Sequence, residues 1–535
     1  MDTLNQSSSA LAEQFRYLQR QLRDRWYSID LFDQDDHDIL VVPSVSLDQR
    51  ELAKIDGFLH YEERLLFSLI RLRNPRTRVI YVTAQPLSPT VIDYYLQLLP
   101  GIPFSHARDR LLLMTTYDSS LKPLSQKILE RPRLMERIRK ALRPQKSYLV
   151  CYNSTDLERQ LSVQLDIPLL APDPDLLYWG TKSGSREIFK ISGVPCPDGS
   201  ETVWNANDLA IAAAELWERQ PSLKRIVIKL NEGFSGEGNA ILDLKPILSV
   251  APGEVSHPER VKVLSDRLEY LRFQGKNETW ANFSSRIPEL GAIVEAFIEG
   301  EEKRSPSVQG YITPTGEVKI LSTHDQILGG PDGQIYLGCR FPADANYRLR
   351  LQNLGLRIGQ ALAEKGAIER YGVDFVAVRQ PDNSAVSWDI QAIEINLRKG
   401  GTTHPFMTLK YLTNGRYELS TGLFYDHQGR EKYYIASDNL QKERYLGLMP
   451  NDLMDIIAHH RLHFDGSTRT GTVFHLMGAL SEFGKLGLTC IGDSGQQAEE
   501  IYNQVVRVLD EETNVGANFN SQSSCCNLPI GWSGN

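Results

Sequence analysis

Cysteine is scarce in this chain, and the few present carry no pattern. Six occur in 535 residues: Cys151, Cys196, Cys339, Cys490, Cys525 and Cys526. None falls in a C-x-x-C or a metal-ligand spacing, which excludes a zinc module and a disulfide framework. A run of about eighteen apolar residues is also missing, so no segment reads as a membrane-spanning helix. No apolar signal segment opens the sequence, and we expect a reduced, cytoplasmic protein. Positive charge is in deficit, with 59 Lys and Arg against 67 Asp and Glu for a net charge of −8. That balance argues against nucleic acid and anionic membranes as partners. Two common phosphate loops are missing as well. There is no G-x-x-x-x-G-K-[ST], and no G-x-G-x-x-G set between a strand and a helix. No internal repeat is visible. What remains is ordinary globular material, 41% hydrophobic and 24% charged, long enough for several domains.

The most informative segment runs from Arg225 to Lys245. A β-rich run, Ile226 to Leu230, carries Lys229. Gly233, Ser235, Gly236 and Gly238 follow, and then a second apolar run, Ala240 to Leu242. This reads as strand, glycine-rich loop, strand. Without Cβ atoms, such a loop lets backbone N–H groups approach phosphate oxygens. Lys229 would add a point charge beside them. Taken alone, the segment reads more readily as a mobile glycine hairpin with a surface lysine.

A second constellation lies downstream. Tyr371 to Arg379 is an apolar strand carrying one acid, Asp374; a turn follows at Pro381, Asp382 and Asn383; Ser387 to Leu397 forms a second strand containing Glu394 and Asn396. Period-two alternation places Glu394 and Asn396 on one face. An antiparallel partner can bring Asp374 beside them. Two carboxylates and an amide oxygen make a hard site suited to Mg²⁺, or Mn²⁺ in its place, held against nucleotide phosphates. The alternative is a solvated strand face. Arg398, Lys399, paired glycines and Thr402 follow at once, which points to a second anion site.

Together these residues resemble the ATP-grasp superfamily of carboxylate–amine ligases, over roughly residues 173–413. Four motifs stand in that family's order. Thr181-Lys182 through Gly193-Val194-Pro195 resembles the short helix that carries a phosphate lysine; Lys182 fits that role, and Lys190 competes for it. Lys229 with its glycine loop fits the lid. Ile293 to Glu302 resembles the hinge, which implies Glu295, Ala296, Phe297 and Ile298 at adenine and Glu302 at ribose, with Glu301 able to trade places. Asp374, Glu394 and Asn396 match the metal triad. The resemblance also implies cationic help to the transferred phosphate from Lys229 and from Arg340 or Arg398. Thr323-His324-Asp325-Gln326, the run from Glu394 to Phe406, and the segment from Arg469 to Ser494 are similar to the family related to the pheganomycin peptide ligase. The activity implied is ATP-dependent joining of a small carboxylic acid to the amine of an amino acid or peptide, through an acyl phosphate, with ATP and a divalent cation required. Ammonia or a thiol as the nucleophile, or a regulatory nucleotide-binding protein without catalysis, are the competing readings. A homodimer is compatible with the family.

The fold expected is α/β and α+β in several domains. Residues 1–175 alternate strands, such as those at Asp38, Arg78, Arg110 and Ser147, with helices at His60 to Arg73 and at Lys127 to Leu142; they read as an open α/β domain preceding the ATP-grasp fold. Residues 176–300 hold the central lid subdomain, with an aperiodic insertion over 249–261. Residues 301–430 form the subdomain with the metal site, and 431–512 a small α/β unit ending in an amphipathic helix from Gly495. Residues 513–535, rich in Asn, Ser and Gly, read as a disordered tail. His459 and His463 stand i,i+4 on a helix without an acidic partner, and read as surface rather than zinc ligands. His324 and Asp325 stay open between an acid–base pair and a polar strand end.

Overall fold

A computed structural model describes residues 2–30, 35–99, 101–232, 238–275, 278–329, 333, 335–380 and 387–522. Four short strands, β1 (Asp38–Val42), β2 (Arg78–Thr83), β3 (Leu111–Thr115) and β4 (Ser147–Cys151), make a parallel sheet in the order β3-β2-β1-β4. β1, β2 and β4 are mostly buried, as strands of a parallel sheet covered on both faces are, while the edge strand β3 is partly exposed, with Leu113 36% accessible. Helical turns from Phe58 to Arg73, wound as a 3-10 helix, pack on this sheet. The helix expected from Lys127 to Leu142 is two helices, Leu124–Leu129 and Pro132–Ala141. Pro132 is the reason. The residue before a proline is pushed out of the helical region, and Arg131 sits at φ −122°, ψ 83°.

The lid sheet is antiparallel, in the order β7 (Arg272–Phe273), β6 (Asn239–Asp243), β5 (Arg225–Leu230), β8 (Ala292–Ala296). The helix Ala206–Arg219 covers it through Leu209, Ala213 and Trp217 against Ile226, Ile228 and Leu242, a core of its own. The stretch 249–261 is not wholly aperiodic: His257 opens a helix to Arg267, anchored by the buried Arg260 on Glu218 and on the carbonyl of Val250. Gly233, Ser235 and Gly236 lie outside the described residues, as does the turn at Pro381, Asp382 and Asn383. Gly238 is described, and its carbonyl accepts from Leu230 N at 2.9 Å.

The third sheet has eleven strands. Its path is β14 (Ser387–Asn396), β13 (Glu369–Gln380), β10 (Pro306–Ile312), β11 (Val318–Gly329), β12 (Ile335–Phe341), β17 (Glu431–Gln441), β16 (Leu423–Tyr425), β15 (Arg416–Glu418). β9 (Lys303–Arg304) joins β13, and β19 (Lys485–Gly492) pairs with β17 and with β18 (Gly471–His475). The segment 431–512 is thus joined to the preceding strands through β12–β17 pairing. One core spans the chain ends: Leu65, Leu66 and Tyr81 share it with Phe474, Leu486 and Val505. The helix from Gly495 runs on to Gln522, past the boundary read at 512. Among the described residues no helix is long and apolar enough to cross a membrane. Cys151, Cys196, Cys339 and Cys490 are free thiols.

Candidate active site

A cleft of about 540 Å³ lies where the lid sheet, the large sheet and the N-terminal unit meet. The segment Pro174–Gly180 and the helix Lys182–Ser192 set its first cation. Thr181 caps the helix by accepting from Gly184 N, the expected use of a threonine hydroxyl at a helix start. A Cβ on Gly184 would fall 2.0 Å from the carbonyl oxygen of Tyr178, so only glycine lets the turn approach this closely. Gly193 ends the helix at φ 62°, the left-handed cap that glycine takes without strain. Lys182 N donates to Asn231 O (3.1 Å), and Ser183 N to Asn231 Oδ1 (2.9 Å). The helix start is thereby tied to the end of the lid strand.

Charges from three segments converge here. Lys182 Nζ lies 2.7 Å from Glu394 Oε1. Lys229 Nζ lies 2.5 Å from Glu295 Oε2, and Arg186 reaches the other oxygen at 3.0 Å. Lys182, Lys229, Arg186 and Glu295 are buried or nearly so. Burial alone would raise the Glu295 carboxyl, but Lys229 and Arg186 together hold it below the ordinary carboxylate value.

β13 and β14 pair with Asp374 opposite Glu394 and Gly372 opposite Asn396. A bulge at Ile393 shifts the register between Asp374 and Phe375. It lets Trp388, Ile390, Ala392 and Ile395 all enter the core while Asp389, Gln391, Glu394 and Asn396 face the opposite side. Asn396 Nδ2 donates to Asp374 Oδ2 (2.9 Å), and Gln326 Nε2 donates to the other oxygen. Burial, and then the neighbouring Glu394, push the Asp374 carboxyl up to about 6. Arg398 lines the same cleft, and its charge opposes that rise.

The hinge residues Glu295, Ala296, Phe297 and Ile298 line the cleft. The N–H of Ala296 is engaged with Asp198 O (2.8 Å), and the ring of Phe297 lies between Arg225 (3.8 Å) and Lys303 (4.4 Å). Glu302 and Arg340 are not brought to the cleft, Gly238 is not among its lining residues, and Lys182 reaches it only through Glu394. Glu302 pairs with Arg379 (2.8 Å) and Arg304 (3.2 Å). Alternation through β9 and β10 gives the cleft Lys303, Ser305 and Ser307 instead. Arg340 stands cross-strand from Asp325, one residue out of phase with the cleft-lining Gln326, and reaches Glu499 at 3.3 Å. Arg340→Ala is therefore expected to change kcat by less than about twofold, since a half-exposed ion pair contributes little; a steady-state assay checks it. Lys399 turns away to Glu369 (3.1 Å). His324 is fully buried on Tyr434 Oη (2.6 Å), and burial pushes it down to about 3. Asp325 accepts from the N–H of Asp344 (2.8 Å) and from Tyr347 Oη. Neither lines the cleft.

Sequence reading did not find Tyr61, Arg64, Gln326 or Lys485, all of which line it. Arg64 gave little signal, because it follows Glu62 and Glu63 in a charged stretch ahead of the apolar run Leu65 to Leu69. Lys485, at the head of an apolar strand, left none. Beside His459, His460 meets Glu512 at 2.7 Å, and two buried histidines absent from that reading, His404 and His475, meet on Asp438.

The chain is similar to known proteins over most of its length. A family described as IQCH-like, ATP-grasp matches residues 175–263 and 258–420, and the PGM1 C-terminal domain matches residues 452–505. A biotin carboxylase from Campylobacter jejuni superposes with a TM-score of 0.52 at 12% identity, over 86% of this chain and 89% of its own. The chain has the ATP-grasp fold. It is 29% identical to an L-propargylglycine–L-glutamate ligase of Streptantibioticus cattleyicolor, over 86% of this chain and 91% of that one. It is also 25% identical to IQ motif-containing protein H of Danio rerio, over 67% of this chain and 37% of that one.

Proposed function

We propose that this protein is an ATP-dependent carboxylate–amine ligase that joins a small amino-acid-like acid to the amine of an amino acid or peptide. The observation that carries the reading is that one cleft is lined by Lys229 and Arg398 together with Asp374, Glu394 and Asn396, with Lys182 paired to Glu394 behind that face. Similarity to a ligase acting on L-propargylglycine and L-glutamate supports this substrate class.

The chemistry explains the parts. An amine does not displace oxide from a free carboxylate. A carboxylate oxygen attacks the γ-phosphorus of ATP, the bond to the β,γ-bridging oxygen breaks, and ADP leaves with that oxygen. The amine then attacks the acyl carbon, phosphate departs, and the amine loses a proton. Phosphoryl transfer asks for positioning and charge neutralisation rather than covalent help. Lys182, Lys229 and Arg398 would bind phosphate oxygens, and residues 296–298 the base. The lid loop would exclude water from the activated acid. The donor set fits a hard divalent cation: two carboxylates whose mutual repulsion raises Asp374, and the amide of Asn396, which would present its oxygen. Mg²⁺, or Mn²⁺ in its place, would supply further neutralisation of the phosphates.

The test is an oxygen label. With an acid labelled in its carboxylate, turnover is expected to give ADP and to place one labelled oxygen in phosphate. Pyrophosphate as co-product, or label in AMP, would overturn the acyl-phosphate route. ADP release that continues unchanged without any amine would favour a nucleotide-hydrolysing or regulatory protein.

A further inference from the structure

The cleft continues beyond the carboxylates of β13 and β14. Its wall runs through Arg398, Gly400, Gly401 and Thr402 to a second end lined by Tyr61, Arg64 and Lys485. Backbone and side chain link the two ends: Lys399 N donates to Tyr152 O (3.2 Å), and Tyr152 Oη lies 3.5 Å from Arg64. Arg64 belongs to the 3-10 helix Phe58–Arg73 and Lys485 to β19. More than four hundred residues apart in sequence, they meet because the two chain ends share one apolar core.

This end is built and cationic. The Arg64 guanidinium stacks on the Tyr61 ring at 3.7 Å, and the Lys485 ammonium stands 5.1 Å from the same ring. Lys485 donates to Tyr61 Oη (3.1 Å) and Asp56 O (3.0 Å). All three side chains are nearly inaccessible except along the cleft. Arg64 is fixed by Asp438, whose Oδ2 it meets at 2.6 Å. Asp438 Oδ1 meanwhile lies 2.8 Å from His404 Nε2 and 2.5 Å from His475 Nε2. Burial pushes His404 down to about 4, so it adds no charge. Asp438 and Asp56 act on Lys485 from a distance, but among the described residues neither forms an ion pair with it. Burial, and then Arg64, push the Lys485 ammonium down to about 8 against the opposing pull of Asp438 and Asp56.

We propose that Arg64 and Lys485, on the platform of Tyr61, bind a carboxylate that does not react: the α-carboxylate of the amino acid whose amine attacks the activated acid. The inference rests on the ligase reading and adds the substrate class at this end. The acid being activated must lie at the phosphates, near Asp374 and Glu394. A carboxylate held at the far end belongs to the other reactant, with its amine directed back along the cleft. Arginine and lysine are the donors such a group calls for, and an acceptor without an α-carboxylate leaves both cations unanswered.

Calorimetric titration of the full chain, with a non-hydrolysable ATP analogue and Mg²⁺ present, tests this with three probes: L-glutamate, L-glutamine and the α-amide of L-glutamate. The wild-type protein is expected to bind L-glutamate and L-glutamine, and to bind the α-amide about tenfold or more weakly, the scale of one charge-assisted contact. Lys485→Gln should weaken L-glutamate by a similar factor and erase the preference for acid over α-amide. Arg64→Lys, which keeps the charge beside Asp438, should also lose that preference. Thermal denaturation establishes that each variant is folded. Wild-type affinity and preference in folded Lys485→Gln would overturn the proposal. So would a wild-type protein that rejects L-glutamine but accepts the α-amide, because the carboxylate bound would then be that of the side chain. Absence of ADP release with every acid and amine would instead defeat the ligase reading, which these binding measurements do not use.

Discussion

Glu394→Gln is expected to lower amide-forming turnover by about 10³-fold or more, on the scale of losing one preorganised electrostatic contact in an enclosed site, in a variant that still folds. The side chain keeps its volume and an oxygen that can still accept from Lys182, now 2.7 Å from Glu394 Oε1. It loses the charge that, with Asp374, would hold a divalent cation. Removing that charge relieves its repulsion of the Asp374 carboxyl but leaves the buried Lys182 ammonium without that carboxylate, so the variant is expected to fold with a lowered melting temperature. Titration with Mn²⁺ should show weaker binding in the variant. Wild-type turnover across a range of Mg²⁺ concentrations would sink the assignment of this face.

The second large effect is expected at Lys229. Lys229→Met should weaken ATP binding by about ten- to a hundredfold, corresponding to one charge-assisted contact of ~1.5–3 kcal/mol. It should also destabilise the fold, because Lys229 and Glu295 are both buried and 2.5 Å apart. Removing one member of a buried pair leaves its partner exposed to the full desolvation cost. Arg186, at 3.0 Å from the other oxygen of Glu295, limits that loss. The two effects separate in the double variant Lys229→Met with Glu295→Gln, which should recover most of the melting temperature and none of the ATP affinity. The pH dependence has a fixed sign. Glu295 titrates below its ordinary value of 4.5, so its pairing stabilises the protein above that pH and is lost as pH falls below it. Lys224, before the strand, should be replaceable without effect on nucleotide binding. Calorimetry showing the reverse order for the two lysines would displace β5 and its lid from the phosphates.

Legibility in the sequence followed the range of the interactions. Strand alternation is local, so Ser387 to Asn396 announced that Glu394 and Asn396 share a face, and the turn between two apolar runs announced an antiparallel partner for Asp374. The helix start at Thr181-Lys182 and its end at Gly193 were equally local, because capping and left-handed backbone depend on a few adjacent residues. The phase of a strand beyond its own run is not local. The bulge at Ile393, the turning of Glu302 toward Arg379, and the half-step that carries Arg340 to Glu499 all depend on which neighbour a strand pairs with.

By itself, then, the sequence determined the elements, the buried faces and the kinds of charge each element carries, because helix and strand periods and turn chemistry act over a few residues. Tertiary structure decided which charges meet. Lys229 became half of a buried pair with Glu295, and Lys182 the partner of Glu394. Arg64 and Lys485 reached one end of one cleft through a core that folds the first hundred residues onto the last hundred. Contacts at such separation depend on the docking of whole layers, and no pattern within either segment encodes the partner it will find.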